Sequence, residues 1–367
     1  MDRPAWSPSP VGLFLLMIAG IALSLAESTL AAADPAVPAV IRFGISSIGV
    51  GGTQFVGGTV VGPVQAKGLL EQEFKADGIR IDWLFHKGAG PAVNEGIAAG
   101  NIDIAWQGDL PMLIGRASGL PTRLIMAAGR GGNTYLAVPA NSPAKTLRDL
   151  VGKRVVLFRG TASQLVVDRI LAAQGLSERD FQIITLNSAD AITALTNGDV
   201  DGAWGTNLYF ELRDRGLIRF VFSTQDPPPV VDRPWANSET GLIVTTDFAT
   251  KYPQIVQRIV NVFAKEAVWA SDPAHAEELF AIWSKSGTPA AHFREDFTGT
   301  TPARRLSPLL DAEFLGELAI GLQQAQDRHL VRNPVDLDAW TDHSFLDHAL
   351  ASLPPPLPWT ARPAAQH

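Results

Sequence analysis

Residues 100–111 read GNIDIAWQGDLP, and residues 197–208 read NGDVDGAWGTNL. Aligning Gly100 with Gly198 brings Asp103 onto Asp201, Ala105 onto Ala203 and Trp106 onto Trp204 without a gap. Each copy has a glycine suited to a left-handed helix stop, then a short apolar run of strand length, then a polar tip. The likeness extends outward: strand, short helix, glycine, strand occupies 79–109 and returns in the same order at 181–207. A repeated unit of this kind implies two lobes of similar build.

Around the two copies, β-like runs alternate with amphipathic helical runs almost to residue 250, the pattern of a parallel α/β sheet. Strands are expected at 40–46, 79–85, 102–106, 123–128 and 135–139, with GRGGN (129–133) as a loop between the last two. A second set follows at 154–158, 181–186 and 200–204, with helices at 163–174 and 189–196. After the Pro-rich QDPPPVVDRPW (225–235), the strand 241–245 returns toward the first set. From Pro253 the pattern is helical, at 255–271, 274–284, 311–326 and 345–350. The expected fold is α/β, with two similar lobes on mainly parallel sheets and a helical C-terminal layer.

The chain has 367 residues, a formal charge of −7 and no cysteine. The apolar run VGLFLLMIAGIALSLA (11–26) is shorter than the roughly 20 residues of a membrane helix. Ala31 and Ala33 precede Asp34 in small-x-small order, so 1–33 reads as a cleaved signal peptide. The lack of cysteine excludes a disulfide framework, a thiolate metal site, a cysteine nucleophile and a lipid-modified N-terminal Cys. A periplasmic protein without a lipid anchor is expected. The negative charge argues against nucleic acid. The remaining chain exceeds one core, giving 34–134 as the first part of lobe one and 135–241 as lobe two. Residues 242–352 return to lobe one with the C-terminal helices, and 353–367 form a Pro-rich tail. The seven histidines are scattered, with His343 and His348 five apart. That is no metal pair, and no Gly-x-Ser-x-Gly elbow occurs. No metal, cofactor or catalytic residue is expected, and the state expected is a monomer.

Ligands of open α/β sheets sit beyond the carboxyl ends of the strands. The polar tips that fall there are 46–54, 107–109, 130–133, 159–164 and 205–207. They nominate Ser46, Ser47, Thr53, Gln54, Gln107, Gly108, Asp109, Arg130, Thr161, Ala162, Ser163, Thr206 and Asn207. RGTASQLVVDRILAAQGL (159–176) carries the sharpest local signal, since a helix opens directly after Gly160 and a helix N-terminus attracts anions. Taken alone, such a motif is more often a plain cap. Trp106 and Trp204 read as sheet core, and Asp103 and Asp201 as partners of backbone amides. Asp109 would either face an amine or hold neighbouring donors in place.

In this order of parts the chain resembles the periplasmic substrate-binding proteins of ABC importers, in the group serving aliphatic sulfonates, taurine and nitrate. The resemblance covers about residues 40–350. It is carried by GNIDIAWQGDLP, by LAVPANSPAKTLRDLVGKRVVLFRGTASQ (136–164) and by NSADAITALTNGDVDGAW (187–204). TTDFATKYPQIVQRIV (245–260) and LVRNPVDLDAWTDHSFL (330–346) complete it. It implies a type II two-lobed protein whose crossover strands lie near 135–139 and 241–245, and which closes on a ligand and docks on a membrane permease. It also implies that Thr161, Ala162 and Ser163 hold an oxyanion head, a sulfonate or sulfate ester. Ser46, Ser47, Gly108 and Asp109 would line one wall, and Thr206 and Asn207 the other. Two features depart from the group: WGTN (204–207) stands where sulfonate binders commonly read Trp-Asp-Pro-Tyr, and the Gly-rich loop after the first strand is longer. Two alternatives stay open. One is an enzyme on the same frame, of desulfinase or pyrimidine-precursor synthase type; the other is the ligand-binding subunit of a sensor.

Overall fold

The computed structural model describes residues 37–47, 49, 53–226 and 238–359. The expected signal peptide, most of the loop at 225–235 and the end of the tail lie outside the described residues. Met1–Pro38 and Ala39–His367 are separate units, and both sheets belong to the second.

The first sheet holds β1 (Val40–Ile45), β2 (Arg80–Phe85), β3 (Ile104–Gly108) and β4 (Thr122–Gly132). The second holds β5 (Tyr135–Pro139), β6 (Arg154–Val156), β7 (Gln182–Ile184), β8 (Gly202–Gly205) and β9 (Ile218–Ser223). The chain then returns, and β10 (Ser238–Thr245) completes the first sheet. The orders are β2-β1-β3-β10-β4 and β7-β6-β8-β5-β9, one pattern used twice. In each, four strands run one way and one, β10 or β5, runs against them, so the sheets are mainly parallel in direction with one antiparallel strand. Because β10 starts at Ser238, residues 238–241 sit in the first sheet rather than in lobe two.

The repeat holds down to single hydrogen bonds. Asp103 accepts the Arg42 backbone N–H at 2.8 Å and its Nε at 2.9 Å; Asp201 accepts the Arg154 backbone N–H at 2.9 Å and its Nε at 3.2 Å. Each aspartate thus ties the start of its strand to the strand beside it, β1 or β6. Gly100 and Gly198 sit at φ of 71° and 78°, the left-handed stop at which a side chain is strained.

Six helices matter for the site: α1 (Ala89–Ala98), α2 (Asp109–Ala117), α3 (Ala162–Ala173), α4 (Ser188–Asn197), α5 (Pro253–Ser271) and α6 (Ala312–Asp327). Pro253 opens α5, where its missing N–H costs nothing. The helix buries Ile255, Ile259, Val260 and Phe263 at helical spacing against the first sheet's core. Each such side chain contributes about 1.5–3 kcal/mol. Most of α3 covers the second sheet, but its Leu165 joins the first lobe's core. Arg328 Nε also reaches Asp168 on this helix at 3.2 Å. The helix therefore seats both lobes.

Two sequence expectations fail locally. GRGG (129–132) is the end of β4 rather than a loop, with only Asn133 outside it, because a side chain at Gly129 or Gly132 would stand 2.8 Å from Thr240 Oγ1 or 2.5 Å from Ser238 Oγ. The glycines let β10 pair there, with shifts of register. The edge strand β9 is the second, since no strand is expected at its position.

Candidate functional site

Alternation along β3 decides what its tip offers, since neighbouring side chains point to opposite faces. Trp106 and Gly108 line a cavity of about 330 Å³ between the two sheets. Gln107 is fully buried away from it and donates its amide to Asn94 Oδ1 at 3.1 Å. Asp109 is likewise turned away at 3% exposure. Its Oδ1 accepts the Leu110 N–H at 2.7 Å, and its Oδ2 the Glu239 N–H at 3.3 Å. Asp109 thus holds backbone donors in place and does not meet the cavity.

Behind this wall lies a group of buried charges. Burial pushes the Asp109 carboxyl up to about 6, with Arg169 pulling it down. Burial pushes Glu239 up to about 8, and holds the Arg169 guanidinium below its ordinary range. Glu317 stands 3.9 Å from Arg169. Desolvation dominates for all three shifted groups, because burial removes the water that would stabilise their charge.

Of the other nominated residues, Ser46, Ser47, Arg130, Thr161, Ala162, Ser163, Thr206 and Asn207 line the cavity, as does Gly108. Thr53 and Gln54 do not; both are exposed, and the Gln54 carbonyl accepts from Gln65. Arg130 reaches the wall, but its guanidinium is engaged elsewhere. Nη1 pairs with Asp311 at 2.9 Å, Nε donates to the Ser307 carbonyl at 3.2 Å, and Nη2 donates to the Leu309 carbonyl. It braces the helical layer and is not aimed at a ligand.

The opposite wall is the start of α3. Thr161 stands at the N-cap in extended conformation, yet its hydroxyl donates to the Phe158 carbonyl at 2.6 Å instead of capping. The first-turn amides of Ala162 and Ser163 have no acceptor within the helix. The two walls come close at one point: a Cβ on Gly108 would lie 2.6 Å from Ala162 Cβ. Lys87 pairs with Asp190 of the other lobe at 3.6 Å, but both are well exposed and the link is weak.

Within WGTN, the glycine has a packing cause. A Cβ on Gly205 would sit 2.5 Å from the buried Tyr209 ring, whose hydroxyl donates to the Trp204 carbonyl at 3.3 Å. The two tryptophans also part company. Trp204 is core, edge-on to Phe222 at 5.8 Å, as expected. Trp106 is half-buried, packed against the first lobe's core and also lining the cavity, so its reading as core holds only in part. The two-residue period of β3 was the signal for it. Phe158, Phe293, Asp296 and Arg305 also line the cavity. The last three come from the helical layer, far along the chain, and carried no local signal.

A model of the family described as NMT1/THI5 like matches residues 72–276, more than half of the chain. The chain belongs to this family. A Bacillus subtilis (strain 168) protein assigned as an aliphatic sulfonates-binding protein is 28% identical over 221 residues, 59% of this chain and 63% of its own. An Escherichia coli (strain K12) protein with the same assignment is 31% identical over 192 residues, 52% of this chain and 54% of its own. The matched stretches thus span less than two thirds of either relative. Among solved structures of this fold, the protein assigned as the periplasmic sulfonate-binding protein of a sulfonate ABC transporter from Methylobacillus flagellatus KT aligns at 30% identity. Its TM-score is 0.69, over 85% of this chain and 94% of that one. The two-lobed α/β architecture is that of periplasmic binding proteins. Among the described residues no helix is long and apolar enough to cross a membrane.

Proposed function

We propose that this chain is the extracytoplasmic solute-binding component of an ABC importer, and that it captures a sulfonate or sulfate ester between its lobes. One observation carries the reading. The first-turn amides of α3 open on the interlobe cavity, in a chain whose family relatives are sulfonate-binding proteins. Those amides and the Ser163 hydroxyl donate to the oxygens of the head, and the positive end of the helix dipole favours its charge. Ser46, Ser47, Thr206 and Asn207 complete the donor set from both lobes. The anion needs no arginine, which fits the prior engagement of Arg130. The protein works as a periplasmic monomer after removal of residues 1–33, and delivers its ligand to a membrane permease. An enzyme on this frame has no cysteine here to act as nucleophile.

A thermal-shift panel of alkane- and arenesulfonates, sulfate esters and nitrate tests the reading, since binding to the folded state alone raises the melting temperature. Ser163→Glu places a carboxylate at the helix end. It is expected to cost more than about tenfold in affinity, the loss of a helix-end contact of over about 1.4 kcal/mol. Unchanged affinity in that variant would remove the site from α3.

A further inference from the structure

The geometry points to a ligand with an aromatic ring on its anionic head, an arenesulfonate or an aryl sulfate ester, with Trp106 and Phe158 holding the ring. The inference rests on the sulfonate reading above and names the class within it.

Trp106 enters from β3 in the first lobe, and Phe158 lies two residues past β6 in the second. Both are half-buried on the wall of the same cavity. Elsewhere in this chain some aromatic rings cluster: Trp283 meets both Phe293 and Phe297, and Tyr135 meets both Phe210 and Phe220. Among the described residues, neither Trp106 nor Phe158 stacks on another ring. Two half-buried rings from opposite lobes on one cavity suit an aromatic guest, which gains from offset or edge-on ring contact beyond simple burial. Leu208 and Phe55 extend the apolar lining from either lobe.

The polar lining argues against a cationic tail. Among the described residues, Asp296 is the one carboxylate on the cavity wall. It is already committed to Arg305 Nη1 at 2.9 Å, to the Tyr135 hydroxyl at 2.8 Å and to Asn133 Nδ2 at 3.1 Å. An ammonium group on the ligand, as in an aminoalkanesulfonate, would meet no uncommitted carboxylate there among the described residues, only neutral acceptors, which repay less of its desolvation. A volume of about 330 Å³ lies at the small end of the range for ligand pockets, roughly 300–1,000 Å³. That leaves room for a head and a compact ring system.

Titration calorimetry on the signal-free chain decides the matter, with naphthalene-2-sulfonate, ethanesulfonate, taurine and naphthalene-2-carboxylate as probes. The naphthalenesulfonate is expected to bind at least about tenfold tighter than ethanesulfonate, a difference of about 1.4 kcal/mol. Phe158→Leu should weaken the arene at least about fivefold while leaving ethanesulfonate within about twofold. Trp106→Leu, checked for an intact melting transition, should do the same. Ethanesulfonate or taurine binding as tightly as the arene would overturn the ring inference and leave the sulfonate reading standing. Binding of the naphthoate in a Phe158-dependent way, with no sulfonate bound, would support the ring and overturn the head. No binding of any probe would overturn both.

Discussion

Gly108→Ala tests whether ligand capture requires the two walls to close as they stand here. The added methyl carbon would lie 2.6 Å from Ala162 Cβ, across the junction of the lobes. Carbon atoms in contact prefer about 3.5–4.0 Å, so the walls must part by about 1 Å. Overpacking of this kind costs about 1–3 kcal/mol. The cost falls on the junction of the lobes, because Gly108 belongs to the first sheet and Ala162 opens the helix that seats both lobes. Affinity should therefore fall by about 5- to 150-fold at 1.4 kcal/mol per decade, while each lobe keeps its own core. The partner substitution supplies the control: Ala162→Gly removes the opposing methyl, so the double variant should recover most of the loss. Calorimetry of the four proteins with one arenesulfonate gives the coupling directly as a double-mutant cycle. Wild-type affinity in Gly108→Ala, or no recovery in the double variant, would refute a contact at this point.

Two further predictions concern stability. Glu239 is held at about 8 against an ordinary 4.5, so the folded protein keeps a proton that the unfolded chain releases. A carboxyl raised in this way contributes stability that is full below about 4.5 and lost as pH rises through about 8, at up to about 1.4 kcal/mol per pH unit. Glu239→Gln mimics the protonated acid and keeps an acceptor for the Gly131 N–H, so the fall in urea midpoint from pH 7 to 9 should shrink in the variant, while Asp109 still contributes below pH 7. A wild-type slope retained in Glu239→Gln would exclude this residue as its source. The repeated aspartates should differ in weight. Asp103 is 8% exposed in its pair with Arg42, so Asp103→Asn should cost about 1–3 kcal/mol. Asp201 and Arg154 are 37% and 43% exposed, so Asp201→Asn should cost less than about 1 kcal/mol after solvent screening. Denaturant titration showing equal losses would mean that burial does not set the difference.

Local rules reach the frame because strands, helix stops and their order are written in short-range pattern. Gly100 and Gly198 announce the turns, and the alternation of apolar runs announces the sheets. Strand β9 escapes those rules because Phe220, Val221 and Phe222 stand in a row, and so short an apolar run does not separate strand from helix. Its partner is β5, some eighty residues earlier, which no local window contains. GRGG misleads for the opposite reason. Its glycines, which locally signal a loop, are there to let Thr240 and Ser238 approach.

The site divides along the same line. Residue order alone establishes that one strand-and-tip unit occurs twice, and that a helix opens beside the second set at Thr161. Which member of each tip is used depends on folding, because pairing register selects the face. Gln107 and Asp109 turn into the protein, while Trp106 and Gly108 turn to the cavity. Arg130 becomes a brace only in the folded chain, since Asp311 and the Ser307 carbonyl lie far along the sequence. The same holds for Trp106 and Trp204, alike in sequence context but not in role. Trp204 has Phe222 of β9 to pack against, and Trp106 packs on its own core while its remaining surface lines the space between the lobes.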